Sequence, residues 1–212
     1  MKQYLTEAIG TFFLVLTVAL CVTQGVALAP VAIGSVLMVM VYAGGHLSGA
    51  HYNPAVTFAV FLRGALPGRQ VVPYWIAQFV GGISAVFFAA HLTGKLLHVA
   101  PGADVRWLPA LAAEIAFTFA LAYVVLNVAT AKETQGNSYF GLAIGFTVMV
   151  GAFAVGGISG GAFNPAVGLS PALIELTHHG QSSTSAAWIY AVGPLAGGAL
   201  AAAAFKAQHP GE

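Results

Sequence analysis

The stretch "GISGGAFNPAVGLSP", Gly157 to Pro171, has a near copy upstream in "GHLSGAHYNPAVTF", Gly45 to Phe58. In both, an Asn-Pro-Ala triplet follows a Gly/Ser-rich run that carries almost no charge. Asn is a strong helix N-cap, because its side-chain oxygen accepts an orphan amide of the first turn. Pro is favoured at the next position, where its missing N–H costs nothing. Asn53-Pro54-Ala55 and Asn164-Pro165-Ala166 therefore each read as a helix start. The apolar segments that follow, Asn53–Leu62 and Asn164–Leu176, are too short to cross a bilayer, which takes about 20 residues. They read as re-entrant half-helices.

The chain around them has 212 residues, 58% hydrophobic and 6% charged, with a mean hydropathy of +0.86. Soluble domains carry roughly 25% charged residues, so the solvent on the outside of this chain is expected to be lipid. A net charge of +1 and the lack of any Lys/Arg run exclude a nucleic-acid partner. Cys21 stands alone, which rules out an intrachain disulfide and leaves it an apolar filler. Six spanning helices are expected, at about Tyr4–Gln24, Leu28–Gly45, Val72–Gly94, Leu108–Ala129, Ser138–Gly156 and Thr184–Phe205. The first is read as a retained helix, not a signal peptide, because Glu7 interrupts the apolar run and the run is long enough to span. Lys2, Arg63, Arg69, Lys132 and Lys206 fall on one side and Lys95 and Arg106 on the other, which puts both termini in the cytoplasm.

The chain is an internal repeat, about 1–100 and about 108–212, within one transmembrane domain. "EAIGTF" (Glu7–Phe12) matches "EIAFTF" (Glu114–Phe119), and "LSGAHYNPAV" (Leu47–Val56) matches "ISGGAFNPAV" (Ile158–Val167). The Gly pairs at 81–82 and 197–198 continue the order. Each half holds three spans, an odd number, so the second enters the membrane inverted. Inverted repeats of broken helices place their site near the midplane. There the two half-helix N-termini meet, each with about half a positive charge. Asn53 and Asn164 spend their oxygens on the caps, leaving both amide N–H₂ groups for a cavity. The unwound "GGHLSGAH" and "GGISGGAF" are expected to line it with carbonyl acceptors. Such a centre passes water and repels cations, and a water donating outward both ways relays no proton.

With the two triplets, the His51-x-Asn53-Pro-Ala-Val-Thr57 context and the repeated Glu-x-x-x-Thr-Phe, nearly the whole chain resembles the aquaporin (major intrinsic protein) family. The resemblance implies an all-α membrane protein with six spanning helices, two half-helices and one pore per subunit, assembled as a homotetramer in the plasma membrane. It also implies an outer constriction at Ile33, Ala152, Gly161 and the residue after the second triplet. Family members usually carry Arg at that last position; here it is Val167. The constriction is therefore expected to be wide and apolar, admitting glycerol, urea or ammonia besides water, with weaker cation exclusion. An aromatic bystander such as Phe153, Tyr52 or Tyr42 would fill the mouth if it turned into it. The Asp found in glycerol channels after the Arg is absent, Gly168 standing there; the water-channel cues of the resemblance are mixed, Ala172 and Tyr190 resembling water channels and Ala191 replacing their usual Trp.

Glu7 and Glu114 are ionisable groups inside membrane helices, where such groups mark function by default. Their duplication favours a structural role, each holding N–H groups of the loop before its own half-helix. A secondary transporter would need them as coupling carboxylates. His51 is a candidate for the inner pore, while His46 packs at the loop and His178 and His179 sit in a solvated outer loop. No metal or cofactor is expected, since no Cys or carboxylate accompanies His46 and His51. No Gly-x-Ser-x-Gly, His-Glu-x-x-His or Cys/His cluster occurs, so no enzyme is expected.

Overall fold

A computed structural model describes residues 1–178 and 184–212. The chain forms α1 (Lys2–Thr23), α2 (Ala29–Ser48), α3 (Pro54–Arg63), α4 (Gly68–Thr93), α5 (Trp107–Ala129), α6 (Phe140–Ser159), α7 (Pro165–His178) and α8 (Ile189–Gln208). Among the described residues, six helices are long and apolar enough to span a membrane: α1, α2, α4, α5, α6 and α8. The half-helices α3 and α7 are the short ones. Two expected boundaries shift by four residues or more. The helix expected from Val72 begins at Gly68, with Pro73 one turn inside, where the lost bond concerns only the carbonyl of exposed Arg69. The last span, expected from Thr184, begins at Ile189 after a separate turn at Thr184–Ala186. Thr184 and Ser185 favour a local turn over helix.

The outward faces are apolar. Val72, Ile76 and Val80 are all exposed at helical spacing on α4, as are Leu5, Ile9 and Phe13 on α1. Polar side chains point inward instead: Glu7, Thr11, Gln78, Glu114 and Thr118 are fully buried. This inside-out pattern suits a lipid exterior. The i, i+4 spacing of Glu7 and Thr11, repeated in Glu114 and Thr118, puts both polar groups of each pair on one inward face.

Packing follows the same plan in both halves. α1 lies along α4 and α5 along α8. The crossings are close because glycine occupies them: a Cβ on Gly81 of α4 would strike the backbone oxygen of Ala8, and one on Gly197 of α8 would come within 2.5 Å of the oxygen of Ile115. Between lipid-facing helices such contact is gained by van der Waals packing, since apolar burial gives no drive there. The half-helices then exchange: α3 packs on α8, and α7 on α4. Each lies on the last long helix of the opposite half, so neither half has a complete core alone. Replacing Gly81 or Gly197 by Val is expected to cost about 1–3 kcal/mol through overpacking. The two should act alike, read as a lowered unfolding midpoint in detergent; no change in either would contradict these crossings.

Candidate functional site

The site is built from two unwound segments and the helix starts that follow them. α2 ends at Gly49 (φ +85°) and α6 at Gly160 (φ +90°). Beyond these, Tyr52 and Phe163 both take φ of +49°, a conformation costly for residues with a side chain. A buried carboxylate holds each segment. Glu7 accepts from Ser48 Oγ (2.6 Å), the amides of His51 (2.9 Å) and Tyr52 (2.7 Å), and Gln78 Nε2 (2.8 Å). Glu114 accepts from Ser159 Oγ (2.7 Å) and the amides of Ala162 (3.0 Å) and Phe163 (2.7 Å). Both carboxylates thus bind loop N–H groups just before the half-helix of their own half. The hydroxyl of Tyr74 secures the first segment further by donating to the Ser48 carbonyl at 2.8 Å.

The starts of α3 and α7 meet. Asn53 Oδ1 accepts the Ala55 amide and Asn164 Oδ1 the Ala166 amide, each at 2.9 Å. Pro54 and Pro165 occupy the first helical positions. Each Asn also donates across the interface, Asn53 Nδ2 to the Phe163 carbonyl and Asn164 Nδ2 to the Tyr52 carbonyl, both at 2.9 Å. This corrects one expectation. The amide groups are not wholly free for the cavity: one N–H of each is spent tying the halves together, and one remains.

Both Asn residues line a cavity of ≈ 360 Å³. It runs along α6 from Ile144 to Gly156, about 18 Å at the rise of an α-helix. Ile33, Ala152, Gly161 and Val167 all line it, as does His51, whose Nδ1 is 3.1 Å from Thr57 Oγ1. Gly156, Gly160 and Gly161 present backbone to the wall. Glu7 and Glu114 stay behind it. The ionisable side chains among the described lining residues are His51 and His98; no Lys or Arg is present. None of the three aromatics that would narrow the mouth enters it. Tyr52 packs its ring over Gly10 and Gly44 and donates to the Met40 carbonyl. Tyr42 bridges α2 to Ser138 and Leu142. Phe153 is 55% exposed and lies outside the cavity lining.

Sequence reasoning missed one wall. Leu97, His98, Val99 and Ala100, from the connection between α4 and α5, fold over the cavity mouth. The amide of Gly102 anchors this connection on the Ile158 carbonyl at 3.1 Å, and Leu97 is buried. The signal was there in "LLHVA" (Leu96–Ala100), too apolar for a loop left in water. His98 Nδ1 is 2.9 Å from Glu175 Oε1 on α7. His46, expected to pack at the loop, is exposed on the last turn of α2, which faces out beside Leu47. His178 ends α7, and His179 lies outside the described residues.

A family description, Major intrinsic protein, matches residues 1–205. A probable aquaporin of NIP type from Nicotiana alata is 36% identical over 210 residues, 93% of this chain and 74% of that protein. Aquaporin NIP1-1 of Zea mays is 35% identical over 221 residues, 97% of this chain and 74% of that one. Among solved structures, the aquaglyceroporin from Plasmodium falciparum aligns with a TM-score of 0.84 at 20% identity, over 95% of this chain and 93% of that chain. That last likeness is one of fold.

The carboxylates give a test. Truncating Glu114 to Ala strands two backbone amides and a hydroxyl, at about 1–3 kcal/mol per buried donor. Glu7→Ala strands four donors and is expected to lower the unfolding midpoint more. Glu→Gln at either site keeps an accepting oxygen and should be milder. Equal, small effects of both Ala variants would refute the assignment.

Proposed function

The chain belongs to the major intrinsic protein family, and we propose that its pore carries water and small uncharged solutes such as glycerol, urea or ammonia through a wide apolar outer mouth. As a member of that family it is a multi-pass membrane channel, passive and not an enzyme. The observation that carries the solute reading is the wall around Val167: Ile33, Ala152, Gly161 and Val167 share one cavity, with no Lys or Arg and no Phe, Tyr or Trp among its described lining residues. A mouth without a fixed cation or a Phe, Tyr or Trp ring leaves room for molecules larger than water.

The centre works as aquaporin-type pores do in general. The remaining N–H of Asn53 and that of Asn164 donate to one passing water. Its two hydrogens then point away from the centre in opposite directions, which breaks a proton relay. The positive ends of α3 and α7 add a barrier to cations. Glu7 and Glu114 are each taken up by several donors behind the wall, which speaks against coupling carboxylates and a transporter. The same reading places both termini in the cytoplasm, the protein in the plasma membrane, and four copies in the working assembly, with the exposed apolar helix faces against lipid or neighbouring copies.

Proteoliposomes subjected to water, glycerol and urea gradients test this. Passive, linear solute flux above that of protein-free vesicles is expected. Val167→Arg should cut glycerol and urea flux by roughly tenfold, the order of refilling a pocket with a bulky group, while water still passes. Water flux without solute flux would leave a strictly water-selective channel; saturable flux that follows a proton gradient would make it a transporter. A pH-sensitive dye in the same vesicles reads cation exclusion: Val167→Arg is expected to slow proton leak relative to the natural residue, and an undetectable leak in both would refute the weaker barrier.

A further inference from the structure

The outer mouth has lost the fixed donor that its constriction position would hold, yet it is not without a polar side chain. Of the described side chains lining the cavity, Asn53, Asn164, His51 and His98 carry polar groups. Asn53, Asn164 and His51 belong to the centre and the opposite mouth. His98 alone belongs to the segment folded over the outer mouth, among Leu97, Val99 and Ala100. Its ring is 51% exposed while the carboxyl group it meets, Glu175, is 10% exposed. We propose that His98, oriented by Glu175, is a specificity-determining residue of the outer mouth, giving entering neutral solutes the side-chain hydrogen bond that Val167 cannot.

The chemistry follows from the contact. A carboxylate accepts only, so the proton of neutral His98 sits on Nδ1, which meets Glu175 Oε1 at 2.9 Å. Nε2 is the remaining ring nitrogen and is then an acceptor. The backbone of Gly160 and Gly161 also offers acceptors, and the side chains of Ile33, Ala152 and Val167 offer nothing. A glycerol or urea molecule stripped of water there finds acceptors for its hydrogens but no side-chain donor for its oxygens, which raises its barrier. Protonation of His98 turns Nε2 into a donor and removes that mismatch. Acid outside should therefore favour solutes over water.

The ionisable groups around His98 are few. Glu175 and His178 are on α7, His91 is on the last turn of α4, and Tyr190 of α8 stands by Gly160 beside Val99; Lys95, Asp104 and Arg106 share its own connection, with Lys95 Nζ on the Thr23 carbonyl. On α1 the nearest by sequence is Cys21; the outer halves of α2 and α6 carry none. His179 lies outside the described residues.

The proposal rests on the channel reading above, and one experiment separates the two. The full chain is reconstituted in liposomes, and glycerol and water permeabilities are measured with external pH stepped through roughly 5 to 8, the range of imidazole titration. Their ratio cancels differences in the amount of protein. In the natural protein the ratio should rise roughly three- to tenfold towards acid, the share of one hydrogen bond. His98→Asn and His98→Ala should abolish the rise. Glu175→Gln, which no longer dictates which nitrogen holds the proton, should shrink it. His178→Gln with His179→Gln should keep it. A flat or falling ratio in the natural protein, or a rise that survives loss of His98, overturns the inference and leaves the channel standing. Vesicles with no glycerol flux at any pH overturn the solute reading and this inference together.

Discussion

Hydrogen bonds from loop amides to a buried carboxylate make the rest of this structure possible. Unwound backbone at membrane depth has no water to satisfy it, and each unpaired group costs several kcal/mol. Glu7 and Glu114 answer that demand from inside helices α1 and α5, where each amide of His51, Tyr52, Ala162 and Phe163 finds an oxygen. Once these segments are held, the chain can turn and start a new helix in the middle of the membrane. Without them it would have to remain helical and cross, and there would be no half-helix to end at the centre. The close glycine crossings of α1 on α4 and α5 on α8 serve the same end, since they set each Glu near the loop it must reach.

The second constraint is shared between the halves. Tyr52 and Phe163 sit at φ of +49°, which a free chain would leave. Each is clamped twice: its amide by the carboxylate of its own half, its carbonyl by the Asn of the other half. Neither half can hold its turn alone. The reciprocal pair therefore sets the distance between the two helix starts as well as their alignment. It also halves the number of donors at the centre, and this sharpens the proton argument: one N–H from each side fits one water, whereas two from each side would compete.

Most of the fold was legible because membrane physics simplifies it. Long apolar runs must be helices, short ones after Gly/Ser must be re-entrant, and duplicated Asn-Pro-Ala caps in an odd-span repeat must face each other. The structural carboxylates were legible for the same reason, since an ionisable group repeated at matching places seldom serves a one-way relay. Three things were not. The cross-half bonds of Asn53 and Asn164 depend on distances that no spacing encodes. Tyr52 and Tyr42 look able to fill a mouth until Gly10 and Gly44 are seen to give the ring of Tyr52 a seat away from it, and Ser138 to give the hydroxyl of Tyr42 a partner. Leu96–Ala100 reads as linker, because a wall made by a connection has no periodicity to betray it.

These misses have a common cause, which bears on where selectivity resides. The repeat makes the centre symmetric: Val56 and Val167 follow the two triplets at matching positions and both line the cavity. Whatever distinguishes the two ends must break the repeat. At the position of His51 in the first segment the second has Ala162, so one mouth keeps an imidazole and the other loses it. At that second mouth the polar group returns on His98, carried by the connection between the halves, a segment with no repeated partner. Symmetry thus accounts for water conduction at the centre. The character of each mouth is left to positions where the halves differ and to the connection between them, so a sequence reading that works by matching halves locates the pore but misses the wall that the connection adds.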